Sequence, residues 1–534
     1  MNKLLSFLLL ISIHLFSQKS NYWVFFKDKN STTAQISEEC KNNRRLLGLA
    51  VDQYTDFAVN SNYISSVENL KVLVRTKSRW LNAVSVQANL EEIKSVEQLP
   101  FVAGIQEFAD VAEVLSTDEN YCKRRRKKRK DTLAKFEVSE ALKMIQYEAF
   151  EKAKLNGENI KIGITDAGFL NLDTQDYFKK TIEQNRVVAC KDFLSPRQGN
   201  QLFENITGKD SHGREVAKCV GGLSSKEQFG LAHEALYYLA RSENAKEERR
   251  YEEDAWVAAM EWFDSLGVRL VNSSLGYGKG FDVASESYNY LQMNGYSTVV
   301  AKAAQIASTE KEMFIVNSAG NNGHDKEWHS YISSPADVVS ILSIGATDGL
   351  GAKMGYSSIG PEYNGYIKPD VSAFSKNGTS FSAPLITGYV ACIMQSNPSF
   401  CNDEIMNILY KSSSLYPYKN NYVGYGVPNC YKTIQLLKQE AVSDSVVSFV
   451  ATDSIVKFTN TDFLSLIPES AAKIVVYHTQ NPGFVVLMET LDVQNSSNFI
   501  LKQNHEDYTL VLIKNKKIKI VWPTSTAILQ NNNE

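Results

Sequence analysis

Through the middle of the chain, from about residue 137 to 440, short apolar runs alternate with stretches whose apolar residues recur every three or four positions. The runs Ile160–Thr165, Ala235–Ala240, Val268–Ser273, Met313–Ser318 and Val338–Ile344 read as buried strands. Trp256, Met260, Phe263 and Leu266 lie at helical spacing between the second run and the third. Strand, helix and strand repeated in this way predict a three-layer α/β unit, a parallel sheet with helices on both faces.

The pattern changes on either side. Residues 19–108 read as a small α+β unit, with strands over Leu70–Arg75, Val84–Val86 and Phe101–Phe108 and a helix over Asn89–Leu99. From residue 441 to 534 short β-rich runs take over, at Lys473–Tyr477, Phe484–Leu487, Tyr508–Ile513 and Lys517–Trp522, and predict a separate small β-domain. Residues 1–18 hold Lys3, an apolar run from Leu4 to Phe16 broken only by Ser6, Ser12 and His14, and then Ser17 and Gln18. This is the layout of a signal peptide, and the run is short for a hydrocarbon core. With no other stretch long enough to span a membrane, the chain is expected to be exported, secreted or held at the cell surface, without a stable membrane span.

Segment 109–136 contains eight consecutive basic residues, Lys123–Lys130. Adjacent like charges repel and cannot pack, so this is an exposed linker, and unpacked backbone is where processing concentrates. A nucleic-acid patch is the third reading, but no aromatic residue interleaves with the run and no recognition fold surrounds it. The whole chain, at 534 residues with 43% hydrophobic and 22% charged residues, can bury a core over most of its length, and about three domains are expected. Its net charge of -3 gives no bulk attraction to nucleic acid or an anionic membrane.

Seven cysteines are few and odd in number, so they define no disulfide framework. Cys219 and Cys392 read as small buried hydrophobes, and Cys401 and Cys430, which flank the last helical segment, are a candidate pair. No pair of CxxC motifs suggests structural zinc, and His324 and His329 near Asp325 read as solvated loop residues. No metal site is expected.

Three segments carry chemistry. In Ile160–Gly168 an apolar strand ends at Asp166 before a turn that needs Gly168; a buried aspartate there can accept from a histidine and from amides. In Gly208–Gly222, His212 precedes a small-residue helix containing Gly213, Val216 and Ala217. In Asn377–Gly388, Ser380 opens a helix with Pro384 expected in its first turn, and free amides beside the hydroxyl suit an oxyanion. Taken singly, Asp166 also fits a helix cap and His212 a surface or core histidine.

Asp-Ala-Gly, Ser-His-Gly and Gly-Thr-Ser-Phe-Ser-Ala-Pro, in that order, resemble the subtilisin-type serine peptidases. The resemblance implies a triad of Asp166, His212 and Ser380 that hydrolyses peptide bonds through an acyl-enzyme, with polypeptides as substrates. Val316–Gly323 looks like the family's oxyanion segment, which makes Asn321 the side-chain donor, with Ala319 and Gly320 beside it as substrate-binding residues. Val271–Gly276 resembles the strand that pairs with substrate backbone, so Ser274, Leu275 and Gly276 line the cleft. Trp328, Ser334–Asp337, Lys368–Val371 and Gly424–Pro428 suggest a Bacteroidetes-like branch. Trp23–Phe108, with Ser78-Arg-Trp-Leu-Asn82, is similar to the propeptides of that branch, which assist folding and block the cleft as intramolecular inhibitors. The chemistry implied needs no cofactor; calcium often stabilises such folds, but no Asp-rich loop here commits to it.

Two departures qualify the resemblance. Arg214 stands where the family commonly has a small Thr, and only Phe374–Lys376 separate Ala373 from Asn377, where relatives carry a longer loop. These leave open a second reading, a binding protein on a subtilisin scaffold with impaired catalysis.

Overall fold

The computed structural model describes residues 19–523 apart from 31–32, 108–136, 196, 206–209, 326–330, 443–445, 460–472, 493–497, 504–505 and 514–515. The expected signal peptide, the run Lys123–Lys130, Trp328 and His329 lie outside the described residues. The N-terminal unit runs β1 (Ser20–Phe26), α1 (Glu38–Leu46), α2 (Ser61–Glu68), β2 (Leu73–Ser78), β3 (Ala83–Ala88), α3 (Leu90–Glu97) and β4 (Val102–Glu107). Its four strands form an antiparallel sheet in the order β2-β3-β1-β4. A capping box starts α3: Asn89 Oδ1 accepts from the N–H groups of Glu91 and Glu92, and Glu92 reaches back to the Asn89 N–H. The strand expected from Leu70 begins later, because Leu70 closes the turn after α2 by donating to Val67 O.

The central unit comprises β5 (Lys161–Asp166), β6 (Val187–Asp192), α4 (His212–Gly221), β7 (Leu236–Arg241), α5 (Glu252–Ser265), β8 (Leu270–Ser273), α6 (Val299–Gln305), β9 (Phe314–Ser318), β10 (Leu342–Thr347), β11 (Val371–Phe374), α7 (Thr379–Ser396), α8 (Asn402–Ser412) and α9 (Cys430–Leu437). Seven strands pair in parallel in the order β11-β10-β9-β8-β5-β7-β6. One face packs on α4 and α7 through residues such as Val216, Val220, Ile386 and Tyr389; the other packs on α5 and α6 through Trp256, Met260, Phe263 and Val300. The chain leaves β5 for β6 and β7 on one side and returns to β8 on the other. That reversal opens a crevice at the carboxyl ends of β5 and β8, where open α/β sheets bind ligands.

The N-terminal sheet covers the outer surface of α5 and α6. One of its faces packs on α2 and α3, with Val24, Val86, Ile64, Ile93 and Val96 in the contact. The other face sends Trp23, Trp80 and Ala83 into the core built on α5 and α6. Polar side chains lock the docking: Ser78 Oγ donates to Glu261 at 2.6 Å, Ser85 Oγ donates to Asp254, and Arg44 bridges Asp56 and Asp264. Lys311, fully buried, donates to Asp56 at 2.8 Å.

Beyond residue 445 lie β12 (Val446–Val450), β13 (Ile455–Thr459), β14 (Lys473–Gln480), β15 (Phe484–Asp492), β16 (Asn498–Lys502), β17 (Tyr508–Ile513) and β18 (Lys516–Val521). A five-stranded sheet has the order β12-β18-β17-β14-β15, and β13 pairs with β16. Tyr477, Val485, Tyr508 and Leu512 from this unit share a core with Ala352, Leu415 and Val423 of the central one. The expected pairing of Cys401 with Cys430 is not made. Cys430 is buried at the start of α9 and Cys401 caps α8, and both thiols are free. Cys392 is buried as expected, whereas Cys219 is partly exposed.

Candidate active site

At the carboxyl end of β5 the chain turns sharply, and two glycines explain how α4 comes so close. A Cβ on Gly168, whose φ is +153°, would lie 2.7 Å from Asp210 Cβ, and one on Gly213 would lie 2.6 Å from Gly168 O and 2.8 Å from Asp166 Cβ. The first turn of α4 therefore rests directly on the Asp166 turn. His212 Nδ1 lies 2.7 Å from Asp166 Oδ1, which also accepts the Ala167 N–H at 2.8 Å. Because a carboxylate only accepts, Nδ1 carries the proton, leaving Nε2 as a base. Asp166 is fully buried and the His212 side chain about a third exposed. The negative charge of Asp166 raises the His212 pKa above its usual value, against the opposing effect of burial.

Arg241, which the sequence did not single out, braces this turn from below. It is the β7 partner of Asp166, its Nε donates to Ala167 O at 3.0 Å, and its Nη1 pairs with buried Asp192 at 3.2 Å. Arg214 turns away from the imidazole. Its Nη1 donates to Leu170 O at 3.1 Å and its Nε and Nη2 donate to Glu215.

Ser380 is the second residue of α7, whose N-cap is Gly378 at φ +124°. Pro384 lies deeper in the helix than the expected first turn, and this has a consequence. Proline has no N–H, so the Ser380 carbonyl loses its donor four residues on. Ser274 Oγ takes that place at 2.9 Å and itself accepts from Asn272 Nδ2 at 3.0 Å, while Asn272 Oδ1 accepts from Thr387 at 2.9 Å. The Ser380 hydroxyl points back to Ser274 O at 3.4 Å, and no hydrogen bond joins it to His212 among the described residues. The imidazole lies beside Phe381, with ring centroids 5.5 Å apart and the ring planes tilted by 50°.

Asn321 is exposed at the end of β9. Its Oδ1 accepts the N–H of Thr379 at 2.9 Å and the Thr379 hydroxyl at 3.1 Å, so the amide orientation is fixed and Nδ2 is the free end. The Ser380 N–H has no acceptor among the described residues. Both this N–H and Asn321 Nδ2 are donors of the kind that can serve an anionic oxygen. Gly276 and Gly320 both face Ser333, where an added Cβ would lie 2.3 Å and 3.0 Å from its hydroxyl. Both are glycines because the walls approach so closely. Leu275 is buried and Ala319 fully buried with its N–H on Ile344 O, so these two shape the cleft from behind. Ser333 and Arg241 carry no motif of their own, and the hold of Thr379 on Asn321, although Thr379 lies inside the Gly-Thr-Ser motif, emerges only from folding.

Near the site, Asp325 pairs with Lys279 at 2.6 Å. Among the described residues no three His, Cys, Asp or Glu side chains converge as a metal-holding group. In place of the longer loop, Ser375 Oγ donates to Gly378 O at 2.7 Å and holds the approach to Ser380.

The chain is similar to known proteins in sequence and in fold. The profile described as the Subtilase family matches residues 157–426, and that of the Peptidase S8 propeptide domain of Bacteroidota matches residues 21–130. Subtilisin DY from Bacillus licheniformis is 24% identical over 287 residues, covering 52% of this chain and 92% of its own. M-protease from Shouchella clausii is 22% identical, covering 75% of this chain and 92% of its own. In three dimensions the chain resembles the epidermin leader peptide processing serine protease of Staphylococcus aureus, with a TM-score of 0.53 and 15% identity over 79% of this chain and all of that one.

Proposed function

The chain belongs to the subtilase family of serine-type endopeptidases, and on that premise we propose that Asp166, His212 and Ser380 form its catalytic triad, with Asn321 as the oxyanion donor. The observation that carries the proposal is the 2.7 Å contact between His212 Nδ1 and fully buried Asp166, at the mouth of the helix that presents Ser380. In the mechanism, the Ser380 hydroxyl rotates from Ser274 O to His212 Nε2, which takes its proton as the oxygen attacks a peptide carbonyl. Asp166 stabilises the imidazolium that forms. The Asn321 Nδ2 and the Ser380 N–H receive the oxyanion, His212 gives its proton to the departing amine, and water frees the acyl group by the reverse sequence. Every proton in this scheme moves between protein groups, substrate and water.

Residues 19–108 act as an intramolecular inhibitor in this reading, supported by the propeptide match and by the docking on α5 and α6. Residues 1–18 direct export, so the mature enzyme works outside the cell or at its surface. A serine-reactive fluorophosphonate probe tests the triad. Mature wild type is expected to label and Ser380→Ala to remain unlabelled; a folded wild type that never labels would favour the binding-protein reading and sink the proposal.

A further inference from the structure

Three carboxylates near the Asp166 turn make no ion pair among the described residues. Glu243 follows Ser242, whose N–H donates to Asp166 O at 3.0 Å and whose hydroxyl lies 2.7 Å from Thr165 Oγ1. It thus stands two residues beyond Arg241, the β7 partner of Asp166, and is half-buried. Tyr277 lies on its other side, directly after cleft residue Gly276. The Tyr277 hydroxyl is fully buried without a hydrogen bond of good geometry, and Glu243 is the foremost charge acting on it. Glu252, in the first turn of α5, and Glu248, in the loop before it, complete the group.

Their acidic neighbours pair with arginines, whereas these three do not; Glu252 instead accepts the N–H groups of Asn244 and Arg249. Glu286 pairs with Arg249 at 2.6 Å, Glu253 with Arg250 at 3.4 Å, and Asp254 with Arg75 at 3.4 Å. Glu243, Glu248 and Glu252 have no ion pair among the described residues. Burial, with the charges of Glu252, Glu248 and Asp166, pushes the Glu243 carboxyl well above its usual range, and burial pushes Glu252 up to about 8. Acids crowded beside Asp166 in a crevice are a receptor for a cation that arrives with a ligand.

The same chain carries such a ligand. Lys123–Lys130 lies between the end of β4 at Glu107 and the first described residue of the central unit, Glu137, in the stretch that must be cut to separate the two. We propose that Glu243, backed by Glu248 and Glu252, receives a lysine or arginine side chain of the bound peptide on the Ser274–Gly276 side of the cleft, and that Lys123–Lys130 is the enzyme's own first substrate. This inference rests on the peptidase reading above.

The test uses mature protein released from the full chain and peptide pairs with Lys or Leu at each of the four positions before the scissile bond. At one position the Lys peptide is expected to have a kcat/KM about 10-fold higher or more, the scale of one charge-assisted contact. Glu243→Gln should collapse that ratio toward one, Glu243→Asp should retain part of it, and Glu248→Gln, which alters a more exposed partner, should reduce it less. In parallel, full-length Ser380→Ala precursor given to the mature enzyme should be cut at the basic run, and a precursor with Lys123–Lys130 replaced by Gly and Ser should be cut about 10-fold more slowly. A wild type that labels with the fluorophosphonate probe but cleaves Lys and Leu peptides equally would overturn this inference alone. So would Glu243→Gln with the wild-type ratio, or a neutral linker cut at the wild-type rate. A wild type that neither labels nor cleaves would overturn the proposed function and this inference together.

Discussion

The Ser380 carbonyl is the most consequential single acceptor in the site, because Pro384 denies it a helical donor and Ser274, just past the end of β8, supplies one. Ser274→Ala leaves that carbonyl orphaned, at a cost of about 1–3 kcal/mol, and frees the helix turn that carries the nucleophile. The variant is expected to unfold at lower denaturant and to lose kcat more than it raises KM, whereas Ser274→Thr, which keeps the hydroxyl, should restore much of both. Equal stability and kcat in Ser274→Ala would remove Ser274 from this role. The second residue-scale consequence concerns protons. His212 acts as a base only when neutral, and the charge of Asp166 raises its pKa above 6.5. Activity is therefore absent at low pH and appears as pH rises through that raised value, so the acid limb of kcat/KM should lie above pH 6.5. Asp166→Asn removes the charge and should shift the limb downward as well as lowering kcat; an acid limb below 6.5 in the wild type would contradict this assignment.

At the scale of elements, the docking of the N-terminal sheet on α5 is linked to protons. Asp254 is fully buried beneath Ser85 and burial raises it to about 7, with Arg75 opposing and Glu253 adding to the rise; Glu261, under Ser78 and Trp80, is raised in the same direction. A carboxyl raised by docking binds a proton as the sheet docks. The docked state thus has this contribution in full below about pH 4, loses it at about ten-fold per unit as pH rises toward 7, and keeps none above. Ser380→Ala protein nicked once in the linker by an added protease should release residues 19–108 more readily at pH 8 than at pH 5. Equal release at both would show that Asp254 is buried independently of docking.

Much of this architecture was legible in the sequence, and what escaped has a physical reason. The runs ending at Thr165, Ala240, Ser273, Ser318 and Ile344 all overlap strands, because a strand buried on both faces is apolar throughout. Strands β6 and β11 escaped because they are the two edges of the sheet: β6 has a half-polar sequence, Val187–Asp192, and β11 follows directly on Pro369-Asp370, with no apolar run leading into it. Asp166, His212, Ser380 and Asn321 were legible because glycines and small residues flank them for steric reasons. Ser274 was read as a cleft residue, but its link to Ser380 O was not, since that follows from Pro384 sitting deeper in α7 than expected. The cysteine pairing failed for a similar reason: closeness to one helix in sequence does not bring two thiols together.

Over the whole molecule, three units are joined by two shared cores, and each shared core makes the catalytic unit depend on a neighbour. The N-terminal contact is temporary if residues 19–108 leave, and it combines Trp23 and Trp80 in a shared core with buried ion pairs around them. The C-terminal contact differs in kind. Leu415 and Val423 are fully buried in a cluster they share with Tyr477, Val485, Tyr508 and Leu512, and Tyr477 Oη donates to Gly351 O at 2.9 Å. An apolar seam of this sort behaves as a permanent joint, since exposing each large side chain costs about 1.5–3 kcal/mol. Removing residues 441–534 should therefore lower Tm and create dye-binding apolar surface, while leaving fluorophosphonate labelling of Ser380 intact below the new transition, because no residue of the site comes from that unit. Tyr477→Phe, which removes only the bond to Gly351, should cost about 1 kcal/mol in thermal unfolding of the full chain. If the truncated protein melts with the full chain, the seam contributes nothing to the catalytic unit and the C-terminal sheet is a passenger.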